Sequence, residues 1–162
     1  MAKYWVANNP NSEITNAKAQ TLKTISATTA TAEELNLVDN QVSSATFSIA
    51  AEAGEAIVVS IQLQDAAGSD MATASCVFAY LSADSAGQTA ASSSGLTITS
   101  GTDGLTQVLV DSNTQNNLLL TSEADGDIDV TITDASTGTT TNYLNVIMPN
   151  GSISTSGAIT FA

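Results

Sequence analysis

From residue 44 onward, apolar residues recur at every second position. Ile57, Val59, Ile61 and Leu63 alternate with Val58, Ser60, Gln62 and Gln64. A period of two is that of a half-buried strand, because successive side chains on a pleated backbone leave opposite faces. Phe47 and Ile49 repeat the pattern against Ser48 and Ala50, as do Ile128, Val130 and Ile132 against Asp127, Asp129, Thr131 and Thr133. Leu96 and Ile98 open a short strand, and Leu105–Val110, Leu118–Thr121, Tyr143–Met148 and Ile153–Phe161 supply others. Ser75–Leu81 is almost continuously apolar, which predicts a central strand. Turn chemistry separates these runs at Asp65–Asp70, Ala83–Gly87, Gly101–Gly104, Ser136–Thr139 and Pro149-Asn150-Gly151. Eight or nine strands at roughly 8–12-residue spacing predict a mainly β chain, folded as an antiparallel β-sandwich over residues 44–162. Aromatics number only seven (three Phe, three Tyr, one Trp), so aliphatic side chains must fill its core.

The first 43 residues follow another rule. Thr31-Ala-Glu-Glu-Leu-Asn-Leu-Val-Asp-Asn-Gln-Val42 places a hydroxyl three residues before Glu34, the spacing of a capping box. Leu35, Val38 and Val42 then fall on one helical stripe. The expectation is a helix of two to three turns over 31–42, within a short helix and linker spanning 31–43. So short a helix is marginal alone, and its stripe is expected to meet other copies of the chain. Residues 1–30 lack apolar periodicity and read as an extended arm laid on a partner. Tyr4, Trp5 and Val6 form its one compact apolar cluster, and Trp5 is the chain's only tryptophan. That tryptophan either packs back on its own domain or anchors the arm to a partner, and aromatic enrichment at interface hot spots favours the anchor.

Charge divides the chain in the same place. Lys3, Lys18 and Lys23 are its only cations and Glu13 the only acid among residues 1–23, a balance of +2. The remaining residues carry 15 acids and no base. A chain of net charge −13 without arginine cannot neutralise a run of phosphates, which argues against a nucleic-acid partner. No run approaches 18 apolar residues, so no membrane-spanning helix is expected. Met1–Val6 reaches Asn8-Asn9-Pro10 before a signal-type apolar stretch develops, and a secretory leader is not expected either.

Catalytic equipment is not apparent. There is no histidine to activate the many Ser and Thr hydroxyls, and no Gly-x-Ser-x-Gly elbow. Cys76 stands alone in the apolar stretch Ser75–Tyr80, which predicts a buried small hydrophobe and excludes an internal disulfide. Asp125, Asp127 and Asp129 alternate, with Glu123 before them and Asp134 after. Such a run can converge on calcium, but the glycine is misplaced for an EF-hand loop and no Glu closes it. A turn followed by a solvated strand face is expected instead. The reading is therefore non-enzymatic, with no cofactor and no metal.

Two stretches resemble known sequences. Thr28-Thr-Ala-Thr-Ala-Glu-Glu-Leu-Asn-Leu-Val-Asp-Asn40 is similar to a segment common in tailed-bacteriophage fibres and virion surface proteins, with Asn40 in place of the usual glycine. The second comprises Glu52–Gly68, Phe78–Ser82, Thr102–Gly104, Leu119–Asp129, Met148–Gly151 and Ser156–Ala162. It resembles a family of small tailed-bacteriophage structural proteins, of head-decoration or head-fibre type, carrying a bacterial immunoglobulin-like domain. The resemblance implies an immunoglobulin-like sandwich and a place on the outer capsid surface of a virion. In that setting Lys3, Tyr4, Trp5, Lys18 and Lys23 would bind the major capsid protein. Leu35, Val38 and Val42 would be the contacts of a homotrimer. The alternative is a tail-fibre or adhesin-type receptor-binding module, whose partner would be a host-surface glycan. A polysaccharide-degrading enzyme is a third and more distant class.

Overall fold

The computed structural model describes residues 41–91, 96–108, 117–136 and 138–162, apart from the side chain of Val108. Among these residues the chain is mainly β, with ten strands and no helix. They are β1 (Ser44–Ile49), β2 (Ala56–Gln64), β3 (Cys76–Ser82), β4 (Leu96–Ser100), β5 (Leu105–Val108), β6 (Leu118–Thr121), β7 (Asp127–Asp134), β8 (Thr140–Ile147), β9 (Ile153–Thr155) and β10 (Ile159–Phe161). One sheet has the order β1-β2-β7-β4, and the other has the order β10-β8-β3-β6-β5, with β9 also on β8. Every pairing is antiparallel.

Register turns the period of two into rungs. In the first sheet Ile57 pairs with Ile132, which pairs with Ile98, and Ile61 lies between Phe47 and Ile128. In the second, Ala79 lies between Leu118 and Val146, and Leu81 faces Leu144. These inward side chains form one buried cluster with Val59, Leu63, Val77, Leu120 and Val130. Among the described residues Phe161 is the buried aromatic of this cluster, while Phe47 packs half-buried against it. The aliphatic core expected from the composition is present, and the arrangement is a two-layer β-sandwich.

Two expectations need correction, while β3 takes the central place expected of it. The outer face of its near-continuous apolar run is open: Phe78 is 55% exposed. Cys76 is likewise exposed, its sulfur 3.3 Å from the Thr121 hydroxyl, rather than buried. The cause is register, which sends Val77, Ala79 and Leu81 inward and the intervening residues out. The run Ile153–Phe161 is not one strand. β9 pairs residues 145–147 of β8 and β10 pairs residues 140–142, with one extra residue between them. Ser156 spans the break: its amide donates to the Leu144 carbonyl at 2.8 Å, and its hydroxyl oxygen accepts the Leu144 amide at 2.9 Å. A side chain replaces a ladder carbonyl there, as at a bulge.

The arm expected over 1–30 and most of the helix expected over 31–42 lie outside the described residues. Gln41 and Val42 are not helical.

Candidate functional site

The two outer faces of the sandwich differ in kind. β7 is the only described strand that carries any charge, at Asp127, Asp129 and Asp134. Its alternation sends Asp127 and Asp129 to the outer face of the first sheet, both half-buried, and Asp134 inward. The turn from Glu123 to Asp127 is closed by backbone hydrogen bonds from the Glu123 amide to the Asp127 carbonyl (3.0 Å) and from the Gly126 amide to the Glu123 carbonyl (3.1 Å). Gly126 is buried there at φ +87°, and a Cβ would lie 2.8 Å from both Gln62 Nε2 and Met71 Cβ. Only glycine fits both the left-handed backbone and the space. The loop before β5 docks beside them, with the Asp129 amide donating to the Asp103 carbonyl at 2.8 Å.

These approaches gather carboxylates around a concavity of ≈ 210 Å³ whose lining includes Thr46, Ser60, Gln62, Asp103, Asp127 and Asp129. A broader depression of ≈ 590 Å³ beside it includes Asp70, Glu123, Asp125 and Asp127. Ser60 donates to Asp129 Oδ1 at 2.6 Å and Gln62 Nε2 donates to the Asp125 carbonyl at 2.9 Å. Desolvation, followed by the charges of Asp125, Asp103, Asp70 and Asp129, holds the Asp127 carboxyl above its ordinary value. The cluster repels anions. Even so, among the described residues no group of three or more acidic, His or Cys side chains is placed to hold a metal ion. Strand geometry explains this, since residues two apart on one face stand about 7 Å from each other.

The second sheet is the opposite. None of β3, β5, β6, β8, β9 and β10 contains an Asp, Glu, Lys or Arg. On its outer face Leu119, Phe78, Ile147 and Ile153 lie side by side in register across β6, β3, β8 and β9. Next to this row, the loop over residues 83–91 folds onto the sheet. Asp84 organises the loop by accepting the amides of Ala86 (2.9 Å), Gln88 (3.3 Å) and Thr89 (2.7 Å). Its carboxyl is held below the ordinary value, first by the Thr89 side chain and then by these amides. Beneath the loop Asn145 is fully buried, donating to Ser82 Oγ and accepting from the Thr155 hydroxyl, both at 2.8 Å.

Of the residues singled out from sequence, Lys3, Tyr4, Trp5, Lys18, Lys23, Leu35 and Val38 lie outside the described residues. Val42, expected at a contact between copies, is 3% exposed and belongs to the sandwich core. Its apolar side chain is spent inside the domain, so that expectation is corrected. Asp134, noted in the sequence only as following the acidic run, is 2% exposed. It accepts the Thr140 hydroxyl at 2.5 Å and the Ser136 amide at 3.0 Å, holding the turn between β7 and β8. Its signal was available, since it continues the inward series Ile128, Val130, Ile132.

No protein-family model and no curated protein matches the chain. Among solved structures, the GAE domain of GGA2p from Saccharomyces cerevisiae aligns over 71% of this chain and 82% of that one, at 12% identity. Its TM-score is 0.19, too low to carry a likeness of fold.

Proposed function

We propose that the chain is a non-enzymatic structural protein of a tailed-bacteriophage virion, a capsid decoration or head-fibre protein on the outer capsid surface. In this reading the arm over residues 1–30 docks on the major capsid protein through Lys3, Tyr4, Trp5, Lys18 and Lys23. The protein acts as a homotrimer, and the sandwich projects outward. Its work is mechanical, bridging and covering capsid subunits.

The observation that carries this reading is the partition of surfaces. Every lysine lies within the first 23 residues, the clustered carboxylates lie around β7, and the second sheet is free of charge. A surface divided in this way suits attachment and solubility. The sequence resemblance supports the same reading. So does strand order, which favours the immunoglobulin-like version of the sandwich. β1-β2-β7-β4 follows the A-B-E-D sheet, and β10-β8-β3 follows G-F-C. β5 and β6 extend that second sheet beyond β3, but they enter the chain after β4 rather than before it.

The experiment uses the full chain and capsids stripped of it. Trp5→Ala is expected to keep the all-β circular dichroism spectrum and to bind far more weakly. Tyr4 and Trp5 bring roughly 150–250 Å² each at about 25 cal/mol per Å². Each exposed lysine contact contributes only about 0.2–1 kcal/mol, so salt should weaken binding mildly. Undiminished decoration by the Trp5→Ala protein refutes the arm as anchor. Copy number in purified virions separates the alternatives: hundreds fit a capsid lattice, whereas a dozen or fewer fit a receptor-binding tail fibre.

A further inference from the structure

We propose that the outer face of the second sheet is a self-association surface, and that its occupant is the same face of a second copy of this chain. The proposal is separate from the homotrimer of the preceding reading, because a two-fold contact through this face pairs copies and is not a three-fold contact. It requires nothing of the capsid.

The large hydrophobics exposed among the described residues are Phe78 (55%), Leu105 (60%) and Ile153 (53%), and all three belong to this sheet. Phe78 lies between Leu119 and Ile147 in register, and Ile153 lies beyond Ile147. Neighbouring strands are about 4.8 Å apart, so this row runs roughly 14 Å across the sheet. Leu105 stands beside it, opposite Thr121. The three exposed side chains together present on the order of 300 Å² of apolar surface, the scale at which a patch on a monomer is commonly functional. The surrounding exposed positions, such as Gln107 and Thr155, are polar without being charged, as at the rim of an interface.

Charge selects the occupant. The chain carries −13, so two copies repel as they approach. Among the described residues every acid lies in a loop or on β7. Copies meeting through the first sheet would set Asp103, Asp127 and Asp129 of one against those of the other. Through the strands of the second sheet, neither copy contributes a carboxylate. A basic partner would be drawn to the acidic concavity and would find here, among the described residues, only Asp84 of the neighbouring loop, already engaged by the Ala86, Gln88 and Thr89 amides. A charge-free apolar row fits best against its own image, in the self-complementary manner of a two-fold contact. Because the contact is apolar and the approaching bodies are alike in charge, added salt should strengthen it by screening the repulsion.

The test is sedimentation equilibrium of the isolated full chain, from micromolar to near-millimolar concentration, at low and high salt. The wild type should rise above the 16.4 kDa of one chain as concentration increases, and more so at high salt. Phe78→Asp and, separately, Ile153→Asp should raise the dissociation constant about tenfold or more. Thr99→Asp, an exposed position on the first sheet, should follow the wild type. Two variants at half-exposed positions guard against one that fails to fold, and circular dichroism checks each. Cys76, exposed and two residues from Phe78, supplies a second readout. Its alkylation by maleimide should slow as wild-type concentration rises, and should not slow in Phe78→Asp. A wild type that stays monomeric throughout overturns the proposal, as does a Phe78→Asp protein that associates like the wild type. Capsid attachment is measured separately by the Trp5→Ala experiment, so either reading can fail without the other.

Discussion

Asn145→Ala tests how the buried amide ties β8 to the rest of the second sheet. Asn145 is fully buried although it lies on the outward side of its strand, because the loop over residues 83–91 covers it. Its two close hydrogen bonds, to Ser82 and from Thr155, are each 2.8 Å, whereas those to the Tyr143 and Tyr80 carbonyls are 3.3 and 3.5 Å. Each close bond contributes about 0.5–1.5 kcal/mol net, and the longer pair contributes less. Truncation also leaves a void of roughly 50 Å³, worth about 1 kcal/mol at ~24 cal/mol per Å³. Thr155 is exposed and recovers a partner from water, and Ser82 still donates to the Asp84 carbonyl at 2.8 Å. The sum is a loss of about 2–4 kcal/mol, a large share of the 5–15 kcal/mol typical of a domain. Urea denaturation of the full chain followed by far-ultraviolet circular dichroism should show a lower midpoint with an unchanged slope. Asn145→Asp should cost more at neutral pH, since it sets a buried carboxylate against the Tyr80 and Tyr143 carbonyls. The excess should shrink as acid protonates that carboxylate. A loss below about 1 kcal/mol for the alanine, or an aspartate milder than alanine at neutral pH, would falsify this account.

Three further outcomes follow from the same geometry. Asp84 is held below its ordinary value of 3.8, so its contribution to stability is complete above that value and disappears as pH falls through the lower folded one. Asp84→Ala should flatten that acid limb and speed hydrogen exchange at the amides of Ala86 and Thr89. Asp127 has the opposite sign: its carboxyl is held up, so its ionisation costs stability as pH rises through the raised value. Asp127→Asn should raise the melting temperature at neutral pH and change it little below pH ~3.8, and a fall at neutral pH would contradict the crowding of Asp125, Asp103, Asp70 and Asp129. Gly126→Ala should destabilise by about 1–3 kcal/mol, because it adds a Cβ at a left-handed position; its calorimetric melting point checks this, and a neutral effect would show that the turn can relax.

The period of two along Ile57–Leu63 and Ile128–Ile132 was sufficient to predict antiparallel strands, an aliphatic core and the turns at Asp65–Asp70 and Pro149–Gly151. These are local properties, since alternation and turn chemistry act between neighbours in the chain. The acidic cluster was half legible. Asp125, Asp127 and Asp129 stand together in sequence, but Asp70 and Asp103 reach them only because the loops before β3 and β5 fold against β7. The outer row was not legible at all. Leu119, Phe78, Ile147 and Ile153 come from four separate strands, and only the pairing of β6, β3, β8 and β9 sets them side by side. For the same reason Cys76 was expected to be buried in an apolar stretch yet faces outward, as Phe78 does. An apolar run states that a strand is central, but whether a second layer covers its far face depends on the rest of the chain. Asn145 shows the converse, a polar residue on an outward face that a loop from elsewhere buries. Alternation along one strand is intrinsic to the backbone and therefore written in the sequence, whereas the covering of a face is a relation between distant segments, which only the tertiary structure decides.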